Sequence, residues 1–106
     1  MSLIGTWQVI ASPEFDGDVL HAEGTPYVTL RQDGDRLVGT YQIGLQRGDL
    51  DGRLTRDCSA ILTFEGMDEM EPVHGAAAAT LDGERLIVPL MYHHGDDYTF
   101  ECEQQP

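Results

Sequence analysis

Two short stretches concentrate the side chains able to do chemistry: Met67-Asp68-Glu69-Met70-Glu71-Pro72 and His93-His94-Gly95-Asp96-Asp97. Their carboxylates and imidazoles are the donor types that hold a divalent cation. Crowded acids also push each other's pKa values apart, which is the basis of paired acid–base catalysis. The spacing fits neither use. Asp68 to Glu71 lacks the length and ligand periodicity of a calcium loop, and neighbouring residues on a strand, such as His93 and His94, point to opposite faces. No activated nucleophile accompanies them, because Cys58 and Ser59 are expected at the other end of the fold and Tyr98 has no lysine beside it. The residues therefore assign no catalytic group, no metal ligand and no cofactor. Asp and Gly in turns commonly just satisfy backbone amides, and His93 is expected to hydrogen-bond a neighbouring carboxylate, Asp68 or Asp96.

What positions these clusters is a run of strands. Leu3, Gly5, Trp7 and Val9 alternate along a first strand from Leu3 to Ala11, followed by a long loop with Pro13, Gly17 and Gly24. Tyr27–Gln32 is the second strand. Asp33-Gly34 and Asp82-Gly83 are hairpin signals, since Asp-Gly tolerates positive φ. Arg36–Ile43 follows with Leu37, Gly39, Tyr41 and Ile43 on one face, then a turn at 44–48. The fourth strand puts Leu50, Gly52 and Leu54 inward against Asp49, Asp51 and Arg53. After a turn at Thr55–Cys58, the fifth strand spans Ser59 to Glu65 and the sixth Val73 to Leu81. Ala76–Ala79 favours helix, but four residues do not nucleate one in water. Strand seven, Arg85–Tyr92, is apolar on both faces, and Pro89 implies a bulge or interrupted pairing. Strand eight sets Tyr98, Phe100 and Cys102 against Asp97, Thr99, Glu101 and Glu103.

Eight consecutive antiparallel strands left open would expose two unpaired edges. Closure removes both, so the expected fold is all-β: a single domain, residues 1–106, forming an eight-stranded antiparallel up-and-down barrel, with a β-sandwich as the second choice. At most one short helix is expected, within the Ser12–Thr25 loop. In such a barrel the long first loop, the turn at 44–48 and both acidic clusters share one rim. Asp33-Gly34, Thr55–Cys58 and Asp82-Gly83 share the other.

Nineteen acidic residues against six basic ones give a formal net charge of −13. Such a surface repels phosphate backbones and anionic lipid, which excludes nucleic-acid and membrane partners. No apolar run approaches the roughly 18 residues of a membrane span. The first residues lack a basic region followed by an apolar stretch, as a secretory leader would have, and Met1-Ser2-Leu3 reads in part as an added start. Cys58 and Cys102 have no CxxC spacing, so reduced thiols in a cytoplasmic protein are expected.

Gly5-Thr6-Trp7 at the start of the first strand resembles the Gly-x-Trp signature of calycins, the lipocalin, fatty-acid-binding and avidin superfamily. The resemblance implies a tryptophan packed across the closed end of a barrel, covered by a basic residue near the end of the last strand; Gln104 stands at that place here. Leu50-Asp51-Gly52, Phe64-Glu65-Gly66-Met67-Asp68-Glu69-Met70-Glu71-Pro72, Gly75, Leu86 and the stretch from His93 to Phe100 look like a widespread group of small bacterial proteins of uncharacterised activity. That group usually has serine where this chain has Tyr98, and arginine where it has Gln104. The resemblance implies a calycin-like barrel and carries no activity.

The leading expectation is a non-enzymatic barrel that binds a small, partly apolar ligand through the acidic rim. Trp7, Tyr41, Phe64, Asp68, Glu69, His93, Asp96, Asp97, Tyr98 and Phe100 are the expected rim and lumen residues. One alternative is an enzyme or metal site on the acid and histidine rim. Another is a protein-interaction module, a homodimer through the outer face of strand seven at Ile87, Pro89 and Met91.

Overall fold

Alternating apolar and polar residues carry through into eight strands, which a computed structural model describes over residues 2–56 and 58–105. Met1 of the expected added start, Asp57 of the expected fourth turn and Pro106 lie outside the described residues. The elements are β1 (Gly5–Ala11), α1 (Gly17–Leu20), β2 (Tyr27–Asp33), β3 (Arg36–Ile43), β4 (Gln46–Arg56), β5 (Ser59–Asp68), β6 (Glu71–Asp82), β7 (Arg85–Tyr92) and β8 (Asp97–Gln104). Each strand pairs antiparallel with the next, and β1 pairs with β8, so the sheet closes. The expected barrel is the observed fold, and the single four-residue helix falls inside the first loop.

Among the described residues four connections are complete two-residue hairpins: Gly34-Asp35, Gly44-Leu45, Glu69-Met70 and Gly83-Glu84, each bracketed by paired residues. All four place positive φ at the first loop position, 64° at Gly34, 62° at Gly44, 57° at Glu69 and 64° at Gly83. Two expected turns are thus much shorter than the sequence suggests. Gln46, Arg47 and Gly48 belong to β4, while Met67, Asp68, Glu71 and Pro72 belong to the β5–β6 ladder. The reason is that these strands run past their apolar core positions: Gly48 pairs with Gly66, and Asp68 with Gln46 and Glu71.

Tight coiling requires glycine where strands approach. A Cβ on Gly39 would lie 1.7 Å from the Thr29 carbonyl oxygen, and one on Gly52 1.9 Å from that of Ile61. Leu54 keeps the inward parity, paired with buried Ala60, yet is 43% exposed because it stands near the end of β4, where the register shifts between Leu54 and Arg56. At Pro89, which has no N–H to donate, pairing of β7 with β6 lapses between Leu90 and Ile87 and resumes without slipping, whereas Pro89 remains opposite Thr99 of β8. Ala76–Ala79 are strand, with Ala77 and Ala79 buried.

The core fills one end of the barrel. Trp7 is fully buried, with its indole N–H donating to the Leu3 carbonyl oxygen at 2.9 Å, which satisfies the one polar atom of the ring. Gln104, opposite Trp7 in β8, donates to the Ile4 carbonyl oxygen at 3.4 Å and lies over Gly5. Cys58 is exposed and Cys102 buried, both as free thiols.

Candidate functional site

The other end is not filled by core side chains. There a cavity of about 210 Å³ is lined by Phe15, Leu20, Ile43, Leu90 and Phe100 on its apolar sides and by Tyr41, Gln46, Asp68, Tyr92 and Tyr98 on its polar side. Strand parity explains the set. Tyr41 and Ile43 continue the inward row of Leu37 and Gly39, Tyr92 continues that of Leu86, Val88 and Leu90, and Asp68 continues that of Leu62, Phe64 and Gly66.

The Ser12–Thr25 loop covers this end as a lid pinned at several points. Asp16 caps α1 by accepting from Val19 N–H at 3.1 Å. Leu20 is buried, and its carbonyl accepts from Gly44 N–H at 3.0 Å, which ties the lid to the β3–β4 hairpin. Glu14 accepts from Thr99 N–H at 2.8 Å. Gln42 donates to the Glu23 carbonyl oxygen at 2.7 Å. Phe15 lies parallel to Phe100 at 6.1 Å and edge-on to Tyr98 at 4.7 Å, a favourable aromatic arrangement.

An aromatic chain continues from the lid across the lumen: Tyr98 to Tyr92 at 5.3 Å, Tyr92 to Phe64 at 4.9 Å, and Phe64 to Tyr41 at 6.1 Å. The Tyr92 hydroxyl donates to Gln46 Oε1 at 2.6 Å, and Tyr98 donates to Asp96 Oδ2 at 3.2 Å. The Tyr41 hydroxyl is buried and has no hydrogen-bond partner among the described residues. Burial, with the charges of Tyr92, Asp49 and Asp68 behind it, holds the Tyr41 phenol far above its ordinary range. Burial pushes Tyr92 up to about 12, against the lowering effect of its bond to Gln46. Tyr98 is raised by burial first, then by Asp96 and Asp68.

Of the expected residues, the fold gathers Tyr41, Asp68, Tyr98 and Phe100 on the cavity, with Phe64 edge-on behind Tyr41. Trp7 is at the closed end and is not on the cavity wall, since its pairing with Val28 and Gln104 sets it far along the strands from the lid. Glu69, His93, Asp96 and Asp97 are exposed residues of the mouth. The expected His93–carboxylate pair does not form. His93 stacks on His74 at 4.9 Å, and among the described residues no carboxylate comes within ion-pair distance of it. Nor do His93 and His94 diverge: their rings are 4.1 Å apart, because His94 adopts φ 57° and breaks strand alternation. Among the described residues, no three His, Cys, Asp or Glu side chains converge as a metal site. On strand seven, Ile87 and Pro89 are half-buried and Met91 exposed, while both edges of the strand are taken by β6 and β8.

Phe15, Leu20, Ile43, Gln46, Leu90 and Tyr92 also line the cavity, although the sequence reading did not select them. Tyr92 was within reach of strand parity. The lid residues were not, because nothing in a loop's composition says which side chain turns inward.

No family model matches the chain, and no curated protein matches it in sequence. Solved structures do match in fold. Human cRBP IV superposes with a TM-score of 0.57 at 13% identity, covering 99% of each chain. The REP1-NXSQ fatty acid transporter gives 0.56 at 15% identity, covering 98% of this chain and 96% of that one. At such identities the likeness is one of fold, that of a calycin-type barrel.

Proposed function

We propose that the protein is a non-enzymatic binding barrel which holds one small, partly apolar molecule beneath its lid. The observation that carries this reading is the contrast between the two ends: Trp7 and Leu3 close one solidly, whereas the other keeps a cavity of about 210 Å³ under a hydrogen-bonded lid. Apolar walls with a few convergent polar groups are the usual make-up of a ligand site. The fatty acid transporter among the fold neighbours is named for an apolar cargo, which supports an apolar body for the ligand here. Tyr41, Asp68, Tyr98 and Phe100 form the contact set, and Glu69, His93, Asp96 and Asp97 border the approach to it.

Native mass spectrometry of freshly purified protein tests this, together with thermal unfolding in 2-phenylethanol, a neutral probe of suitable size. One small molecule retained per chain, or a melting temperature rising with probe concentration, is the expected result, and Ile43→Trp, which fills the cavity, should abolish it. A chain with neither retained molecule nor probe response would overturn the reading.

A further inference from the structure

Every formal charge in contact with the cavity has the same sign. Asp68 is the one carboxylate among the described lining residues, and they include no arginine, lysine or histidine. All six basic residues of the chain are arginines. By strand direction Arg31, Arg36, Arg53, Arg56 and Arg85 lie toward the closed end, where the ion pairs Arg36–Asp51 and Arg85–Glu103 also form. Of the arginines only Arg47 lies near the mouth, exposed on the outer wall, and His21, His93 and His94 are exposed there as well. Around the mouth stand Glu14, Asp16, Asp18, Glu23, Glu69 and Asp96. A ligand with an anionic head would meet a carboxylate inside and a negative field on the way in.

We propose that the ligand is a small organic cation, an ammonium group on an apolar body of about phenyl size, with its nitrogen beside Asp68. The proposal rests on the binding reading above and gives it a ligand class. Tyr41 lends its ring to the lining, while its phenolic oxygen is sealed away from the cavity. Asp68 takes part in none of the ion pairs among the described residues. Phe15, Tyr92 and Tyr98 surround the same space with aromatic rings, whose negative faces attract cations. A cavity of about 150 Å³ suffices for benzene, so about 210 Å³ accommodates a phenyl ring with a short aminoalkyl arm.

The test is calorimetric titration of the full chain at pH 7 with 2-phenylethylamine, 2-phenylethanol, phenylacetate and dodecanoate. The amine is expected to bind at least about tenfold more tightly than the alcohol, a difference of roughly 1.4 kcal/mol, and to weaken with added salt; neither acid should bind. Asp68→Asn, checked for an unchanged circular dichroism spectrum, should bring the amine down to the level of the alcohol, whereas Asp82→Asn, the same charge change at the closed end, should leave both unaltered. An alcohol as tight as the amine, or any preference for an acid, overturns the cation proposal and leaves the binding reading standing. A protein that binds none of the four and retains no molecule in native mass spectrometry overturns both. The comparison of amine with alcohol is made on the unmodified chain, so the outcome does not depend on a variant folding.

Discussion

The Tyr41 hydroxyl ends against the backbone of Gly66: a Cβ there would lie 2.8 Å from the phenolic oxygen, 2.7 Å from the Gly48 Cα and 2.2 Å from the Arg47 carbonyl oxygen. Glycine on β5 thus makes room for a ring from β3 whose polar atom has no partner in the protein. A buried, unpaired hydroxyl costs about 1–3 kcal/mol. Tyr41→Phe should therefore keep or raise stability, by about 1 kcal/mol in urea unfolding. A large loss of stability would mean that the hydroxyl is satisfied in the folded protein. Gly66→Ala should destabilise strongly, because two backbone atoms stand in the way.

The phenols predict a specific alkaline limit. Tyr92 is pushed up to about 12 and Tyr41 is held still higher, mainly by burial, against about 10 in the unfolded chain. A group whose folded pKa is raised contributes stability that is full below the unfolded value and is lost as pH rises through the folded one. Stability should accordingly hold to about pH 10 and fall beyond it. Tyrosinate absorbance from these two rings should develop together with unfolding. In Tyr92→Phe the decline should be shallower, at the expense of the bond to Gln46.

Much of this arrangement was legible in the sequence because parity on a strand is rigid. Leu37, Tyr41, Phe64 and Phe100 alternate with polar residues, and closure of eight strands follows from the unpaired edges that would otherwise remain. Asp33-Gly34 and Asp82-Gly83 marked hairpins correctly, with glycine at the position of positive φ. Other features were hidden for physical reasons. Gly48, Gly66 and Asp68 read as turn residues, yet they extend the β4–β5 ladder because glycine there serves close strand approach. Asp68 was expected on the rim, and that ladder turns it inward onto the cavity wall. The His93 pairing failed because His93 follows β7 opposite His74, donating its N–H to the His74 carbonyl at 2.9 Å, so that the two rings stack.

Glu69 occupies the first position of its hairpin with φ 57°, where the three other two-residue hairpins have glycine. Left-handed backbone costs an L-residue roughly 1–2 kcal/mol. Part of the gain from glycine is returned as unfolded-state entropy. Glu69→Gly is therefore expected to stabilise the protein by about 0.5–1 kcal/mol in urea unfolding.

The lid and the closed end should respond oppositely to mutation. Phe15 rests on Tyr98 and Phe100, so Phe15→Ala should speed hydrogen exchange across residues 12–26 and weaken ligand binding, with only about 1–2 kcal/mol lost globally. Trp7 is fully buried far from the cavity and satisfies the Leu3 carbonyl. Trp7→Phe removes core volume and leaves that carbonyl unpaired, which should cost about 2–4 kcal/mol. Among molecules still folded, affinity should be unchanged. If Trp7→Phe instead weakened ligand binding in proportion to its loss of stability, the two ends of the barrel would be one cooperative unit, and the division between a structural end and a binding end would not hold.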